Sequence, residues 1–210
     1  MAGNPNLIEQ YRQIHAASVY GNTSVKNLRF LRPEVRLLRP RSILDYGCGQ
    51  SLLLEQLRLP YQPQLIRYDP AIPEYSRKPH VHVDLLINID VLEHIEEQDL
   101  DAVLDEMASI SRNAVIIIDT APAATFLPDG RNAHVTIRPH RWWHDRLSRH
   151  FPTLVPLATA RRSRAGFKTW RRSPGQTFKY IGFRVAEDVT YYGRRVLSPN
   201  RCLAGIAGTS

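Results

Sequence analysis

The segment Ser42-Ile43-Leu44-Asp45-Tyr46-Gly47-Cys48-Gly49-Gln50-Ser51 constrains the fold more than any other part of the chain. An apolar run ends in an acid, two glycines follow at alternate positions, and Leu52-Leu53-Leu54-Glu55-Gln56-Leu57 then reads as helix. Strand, glycine turn and helix in that order bring main chain against a nucleotide-like ligand. Glycine has no Cβ to hold the ligand away, and it takes positive φ at little cost. The first N–H groups of the following helix, expected over 50–58, add to such a site. A glycine pair after a strand also makes an ordinary tight turn, so the later strands must decide between the two.

Three later runs favour the ligand site. Leu65-Ile66-Arg67-Tyr68-Asp69 is a short strand ending in an acid, about 20 residues past the glycines, where a carboxylate meets ribose hydroxyls. Leu85-Leu86-Ile87-Asn88-Ile89-Asp90-Val91-Leu92-Glu93-His94-Ile95 is a buried-strand pattern running into an acidic, His-bearing turn, and Ala114-Val115-Ile116-Ile117-Ile118-Asp119-Thr120 is a further apolar strand ending in an acid. Four strands with polar carboxyl ends predict a parallel sheet with its ligand along that edge.

In this order the motifs resemble the class I S-adenosylmethionine-dependent methyltransferases over roughly residues 40–150. Ile43-Leu44-Asp45-x-Gly47-Cys48-Gly49 is similar to their first motif, and Asp90-Val91-Leu92-Glu93-His94-Ile95 to the turn after the fourth strand in the small-molecule branch. The resemblance implies an α/β, Rossmann-like fold: a mostly parallel sheet, an antiparallel last strand and helices on both faces. It implies S-adenosyl-L-methionine as cofactor, with Asp45 on its amino group, Asp69 on the ribose, backbone at Gly47, Cys48 and Gly49 along the methionine end, and Asp90 at the same end or bracing the turn. Two departures stand out. Ser51 occupies the place of a frequent third glycine and is expected to cap the next helix. The stretch 70–83 is too short for the usual helix and third strand. Its three prolines oppose a helix, so a loop is expected, with at most a short strand at 81–83. Pro70 and Ile72 become the candidates for the adenine walls.

Along the rest of the chain, Asn6–Val19 and Ser24–Leu38 read as helices, the second interrupted at Pro33. Ile95–Ser111 is amphipathic, and Pro139–His150 reads as helix. Leu154–Ala158 and Phe178–Val185 read as the last strands, followed by a closing helix over Glu187–Leu197. One domain is expected, comprising an N-terminal helical lid (1–40), a cofactor core (41–130) and a basic part (131–210) that contributes to the acceptor site. Tyr20 is a candidate to close over the ligand from the lid.

Charge is unevenly distributed. Residues 1–130 hold 12 Lys/Arg against 17 Asp/Glu, whereas 131–210 hold 16 against 3. This asymmetry suggests an anionic acceptor, with a small molecule or saccharide favoured over nucleic acid, or else simply a solvated basic face. Arg161–Arg172, basic with interleaved aromatics, keeps single-stranded nucleic acid open, with a catalytically inactive binding module as the alternative function. Two distant cysteines suggest neither a disulfide framework nor a zinc site, and no metal is expected. No apolar stretch has membrane-spanning length, and no secretory signal is visible, so a cytoplasmic setting is expected.

Methyl transfer asks chiefly for alignment and exclusion of water, with a base near neutrality where the nucleophile is a hydroxyl. His94, at the sheet edge, and His134, in the polar loop after the fifth expected strand, are the candidate bases. Asp129, Arg131 and Asn132 in that loop, and one of Trp142 and Trp143, here Trp143, are the candidate acceptor contacts.

Overall fold

Burial along nearly its whole length makes Ser42–Tyr46 (β1) a central strand of the molecule. The computed structural model describes residues 4–17 and 24–197. Tyr20, Cys202 and the small-residue tail from Ala204 lie outside the described residues. β1 pairs in parallel with Gln64–Tyr68 (β2) on one side and with Leu85–Ile89 (β3) on the other. β3 pairs in parallel with Ala114–Asp119 (β4), and β4 pairs antiparallel with Arg164–Lys168 (β6), which carries the two-residue edge strand Val155–Pro156 (β5). The order β2-β1-β3-β4-β6-β5 is that of a doubly wound sheet whose direction of winding reverses between β1 and β3. A crevice opens at such a reversal, because the connections on its two sides leave in opposite directions.

Alternate residues of each strand feed the two faces. Leu44, Leu86, Ile116 and Ile118 pack with Leu100–Ile110 (α4) and His140–Leu147 (α5). Ile43, Leu85, Ile87, Val115 and Ile117 pack with Leu28–Leu38 (α2) and the short Leu53–Gln56 (α3). β3 and β4 are buried along their whole length, as central parallel strands covered on both faces must be. A smaller cluster joins Leu7 of Pro5–Ala17 (α1) to Leu127 and Ala133 of the loop after β4. Asn4 caps α1 by accepting the Asn6 N–H at 3.0 Å, and Pro5 follows at the first helical position, where its missing N–H costs nothing.

Several expectations change. The helix after the glycines spans only Leu53–Gln56, ending before Arg58, which is left-handed at φ 46°. Ser51 Oγ accepts the Leu53 N–H at 3.1 Å and so caps the turn. α2 runs through Pro33 without a break. Proline deprives the Arg29 carbonyl of its helical donor, and the Arg184 guanidinium supplies one at 3.3 Å. The stretch after β2 holds a single 3-10 turn, Pro73–Tyr75, and residues 81–83 form no strand. The helix expected from Ile95 starts only at Leu100 (α4), since Ile95 is extended after a 3-10 turn at Leu92–His94.

The last strand is Arg164–Lys168, not Phe178–Val185, which lies inside the helix Pro174–Leu197 (α6) packed on α2. Phe178, Ile181, Val185, Val189 and Tyr192 recur at helical spacing along its exposed side. The segment expected as a basic groove thus supplies a buried strand: Arg164 is 4% and Lys168 1% exposed. Lys168 Nζ lies 2.7 Å from the buried Glu34 carboxylate, which also binds Arg172. Further C-terminal cations are taken up in ion pairs nearer the surface. Arg131 pairs with Glu96, Arg138 with Glu97 and Arg146 with Asp101. Among the described residues no helix is long and apolar enough to cross a membrane.

Candidate active site

The carboxyl ends of β1 to β4 open into one cavity of about 470 Å³ at the reversal of the sheet. That volume lies in the range of small-molecule sites. Gly47 and Gly49 carry the chain across its floor at φ 81° and 50°. The Gly47 and Cys48 N–H groups donate to the Tyr68 carbonyl at 2.7 and 3.1 Å, which ties the glycine turn to the end of β2. Space for a side chain at Gly47 is absent: a Cβ there would stand 2.5 and 2.6 Å from the two Val91 methyls.

Asp69 follows β2 and faces the same floor. One carboxylate oxygen accepts the Gly49 N–H and the other the Ala71 N–H, both at 2.8 Å. Burial raises its pKa, while those N–H groups and the His15 imidazole act in the opposite direction. Each oxygen keeps a further lone pair, so the carboxylate fits ribose hydroxyls. Asp45, 4% exposed, also lines the cavity, and burial pushes its carboxyl up to about 7 despite the neighbouring Arg67 guanidinium. Burial likewise raises the Cys48 thiol, with Asp45 and Asp69 adding to the shift, so this cysteine is an inert wall. Pro70 and Ala71 line the cavity; Ile72 lies outside the lining, and its N–H instead closes the turn onto the Asp69 carbonyl at 3.2 Å. Of the two adenine candidates Pro70 therefore keeps its place, and Ala71 stands where Ile72 was expected.

Asp90 follows β3 in the left-handed region at φ 58°, which aspartate tolerates better than most residues. Its Oδ2 accepts from Arg164 Nη2 at 2.7 Å, and Arg164 Nε lies 3.5 Å from Asp119 Oδ2. Arg164 thereby pairs with two of the strand-end acids from the antiparallel side. The sequence placed it in a surface segment. The available signal was the excess of acids at the strand ends, which requires a buried counter-charge nearby.

His94 and His134 line the same cavity and meet there with ring centroids 4.8 Å apart. His94 Nδ1 lies 2.8 Å from the Ala133 carbonyl and His134 Nδ1 2.5 Å from the Ala121 carbonyl, so each Nδ1 carries the hydrogen. Removal from solvent, reinforced by His134, pushes the His94 imidazole down to about 3 and keeps it neutral. Tyr11 of α1 donates to the same Ala133 carbonyl at 2.6 Å and packs edge-on against His94. Leu7, Tyr11 and His15 of α1 line the cavity.

The other acceptor candidates fall elsewhere. Trp143 is fully buried in the core between α5 and the sheet and cannot wall the cavity. Asp129 and Arg131 form a clasp, with Gln10 on Asp129 at 3.0 Å and Glu96 on Arg131 at 3.0 Å, that fixes α1 to the loop after β4. Asn132 braces that loop by donating to the Ala123 carbonyl at 2.8 Å. None of the four lines the cavity.

The profile of a family described as "Methyltransferase domain" matches residues 16–170. The chain belongs to that family. The methyltransferase also resembles solved structures at low identity. One is a DhpI–S-adenosylhomocysteine complex, with 14% identity, a TM-score of 0.53, and coverage of 81% of this chain and 99% of that one. Another is human N-acetylserotonin methyltransferase in complex with S-adenosylmethionine, at 13% and 0.51, covering 79% and 56%. A third is an O-methyltransferase family protein from Burkholderia thailandensis, at 12% and 0.49, covering 69% and 55%. The chain spans little more than half the length of the last two. Among curated proteins no match to its sequence was found. At these identities the first two structures establish the fold alone, a Rossmann-like class I arrangement.

Proposed function

We propose that this methyltransferase transfers the methyl group of S-adenosyl-L-methionine to an oxygen or nitrogen of a small acceptor of anionic character. The observation that carries this is a single cavity lined by two chemically distinct sets of groups. Glycine backbone and the Asp45 and Asp69 carboxylates make one set, and the paired histidines the other. When bound, the sulfonium supplies an electrophilic methyl carbon; the nucleophile bonds to it as the carbon–sulfur bond breaks, leaving the electron pair on sulfur, and the acceptor loses its proton.

The chain's own residues supply placement. Asp69 accepts from ribose hydroxyls, Asp45 faces the amino group, and the Gly47–Gly49 backbone lies along the methionine end. Pro70 and Ala71 flank the adenine. α1 serves as the lid, excluding water over His94 with Leu7 and Tyr11. Arg161, exposed at the rim, supplies the positive charge that favours an anionic acceptor, and is the contribution of the C-terminal part.

Calorimetry with S-adenosylhomocysteine tests the assignment. A hydrogen bond to a charged group contributes about 1.5–3 kcal/mol, so Asp69→Asn should weaken binding roughly 10- to 100-fold. Unchanged affinity in a folded variant refutes the ribose role, and no binding to the folded wild type refutes the function.

A further inference from the structure

The loop after β4 is fastened to the turn after β3. The Thr136 N–H donates to the Glu93 carbonyl at 3.0 Å, and Thr136 Oγ1 donates to the Ile95 carbonyl at 2.7 Å. That fastening brings three side chains from two separate parts of the sequence together. One nitrogen of His94, one of His134 and one carboxylate oxygen of Glu93 lie within 4.8 Å of one another. We propose that Glu93, His94 and His134 bind a first-row divalent cation of the zinc or manganese type, placed to hold the acceptor's reacting oxygen. The role given to that oxygen rests on the methyl-transfer reading above; the cation site does not.

Each imidazole is oriented as metal ligands commonly are, by donation of Nδ1–H to a backbone carbonyl, which assigns the lone pair to Nε2. Glu93 is fully buried. Its Oε1 accepts the Asp119 N–H at 2.8 Å, whereas Oε2 is buried with no hydrogen-bond partner among the described residues. A buried carboxylate oxygen without a partner is costly, and a cation is the ligand that offsets it. The nearby carboxylates of Asp90 and Asp119 add negative potential, which Arg164 only partly offsets.

Two imidazoles and one carboxylate suit first-row divalent ions better than magnesium or calcium, which prefer all-oxygen shells. Three protein ligands leave coordination positions open, as in catalytic rather than structural sites. Metal–ligand lengths of about 2.0–2.2 Å require the three atoms to close by on the order of 1 Å, within reach of side-chain rotation. A cation there lowers the pKa of a coordinated hydroxyl. The proton leaves to solvent, and an oxygen electron pair forms the new bond to the methyl carbon as the carbon–sulfur bond breaks.

The test is titration of Zn²⁺ alone into chelator-treated full-length protein, read by calorimetry and by equilibrium dialysis. One ion per chain is expected, and His134→Ala, at a half-buried position, should weaken binding about 100-fold or more. Glu93→Gln, checked for folding by circular dichroism, should do the same. Absence of Zn²⁺ binding to the wild type overturns the proposal, as does equal binding by His134→Ala. S-adenosylhomocysteine titrated into the same metal-free protein separates the two readings. If it binds while Zn²⁺ does not, the cation site is refuted and the methyl-transfer reading stands. If Zn²⁺ binds with the expected variant losses while S-adenosylhomocysteine does not, the site is supported and the role of the acceptor oxygen is refuted.

Discussion

Replacing Gly47 by alanine probes the joint between the two halves of the cofactor site. The residue sits at φ 81°, where a Cβ costs about 1–2 kcal/mol. The added carbon would also stand 2.5 and 2.6 Å from the Val91 methyls, well inside contact distance. Val91 is 8% exposed and β-branched, so it has little freedom to turn away. Overpacking of this kind costs about 1–3 kcal/mol, for a total near 2–5 kcal/mol. Against a typical domain stability of about 5–15 kcal/mol, the variant should fold but unfold at clearly lower urea. The strain and the clash are separable. Val91→Ala removes the clash and leaves the strain, so in a double-mutant cycle the two substitutions should couple favourably by about 1–3 kcal/mol. A Gly47→Ala variant within about 1 kcal/mol of wild type, or strict additivity with Val91→Ala, would refute the close approach of the glycine turn to the turn after β3.

Further predictions concern charge. Glu34→Leu strands Lys168, 1% exposed, without its carboxylate and should cost about 3–5 kcal/mol in urea unfolding; adding Lys168→Met should recover much of it, and no recovery would show that the pair is not the cause. Asp45 has its folded pKa raised from 3.8 to about 7, so its protonated form is favoured by folding. This contribution is complete below about pH 4 and is lost as pH rises through about 7, with a slope of up to about 1.4 kcal/mol per pH unit. Urea unfolding of wild type and Asp45→Asn between those limits should show their difference falling with pH, and a constant difference would refute it.

How much of this is legible along the chain differs from element to element. β1 and β4 fall where their apolar runs begin and end, because a central parallel strand needs unbroken burial and little else in a sequence looks like that. The glycines, Asp45, Asp69 and His94 stand out because each sits at or just past such a strand, and His134 because it lies in the polar loop beyond the last of them. β6 escapes the same reading because Arg164-Ala165-Gly166-Phe167-Lys168 carries a cation at each end, and only acids supplied by α2 and by the ends of β3 and β4 make its burial tolerable. Part of α6 resembles a strand because short apolar runs do not separate the two periods.

Local pattern thus suffices for the parallel core and for the line of carboxylates along its edge, since hydrophobic periodicity and glycine placement are properties of neighbouring residues. Which charges meet is settled only when the chain has folded. Folding buries Arg164 and Lys168, moves Trp143 into the core, turns Asp129 and Arg131 into a clasp for α1, and brings Glu93 and His94 to His134. Pairing across such distances depends on how loops close over the sheet, and no short stretch of residues encodes that closure.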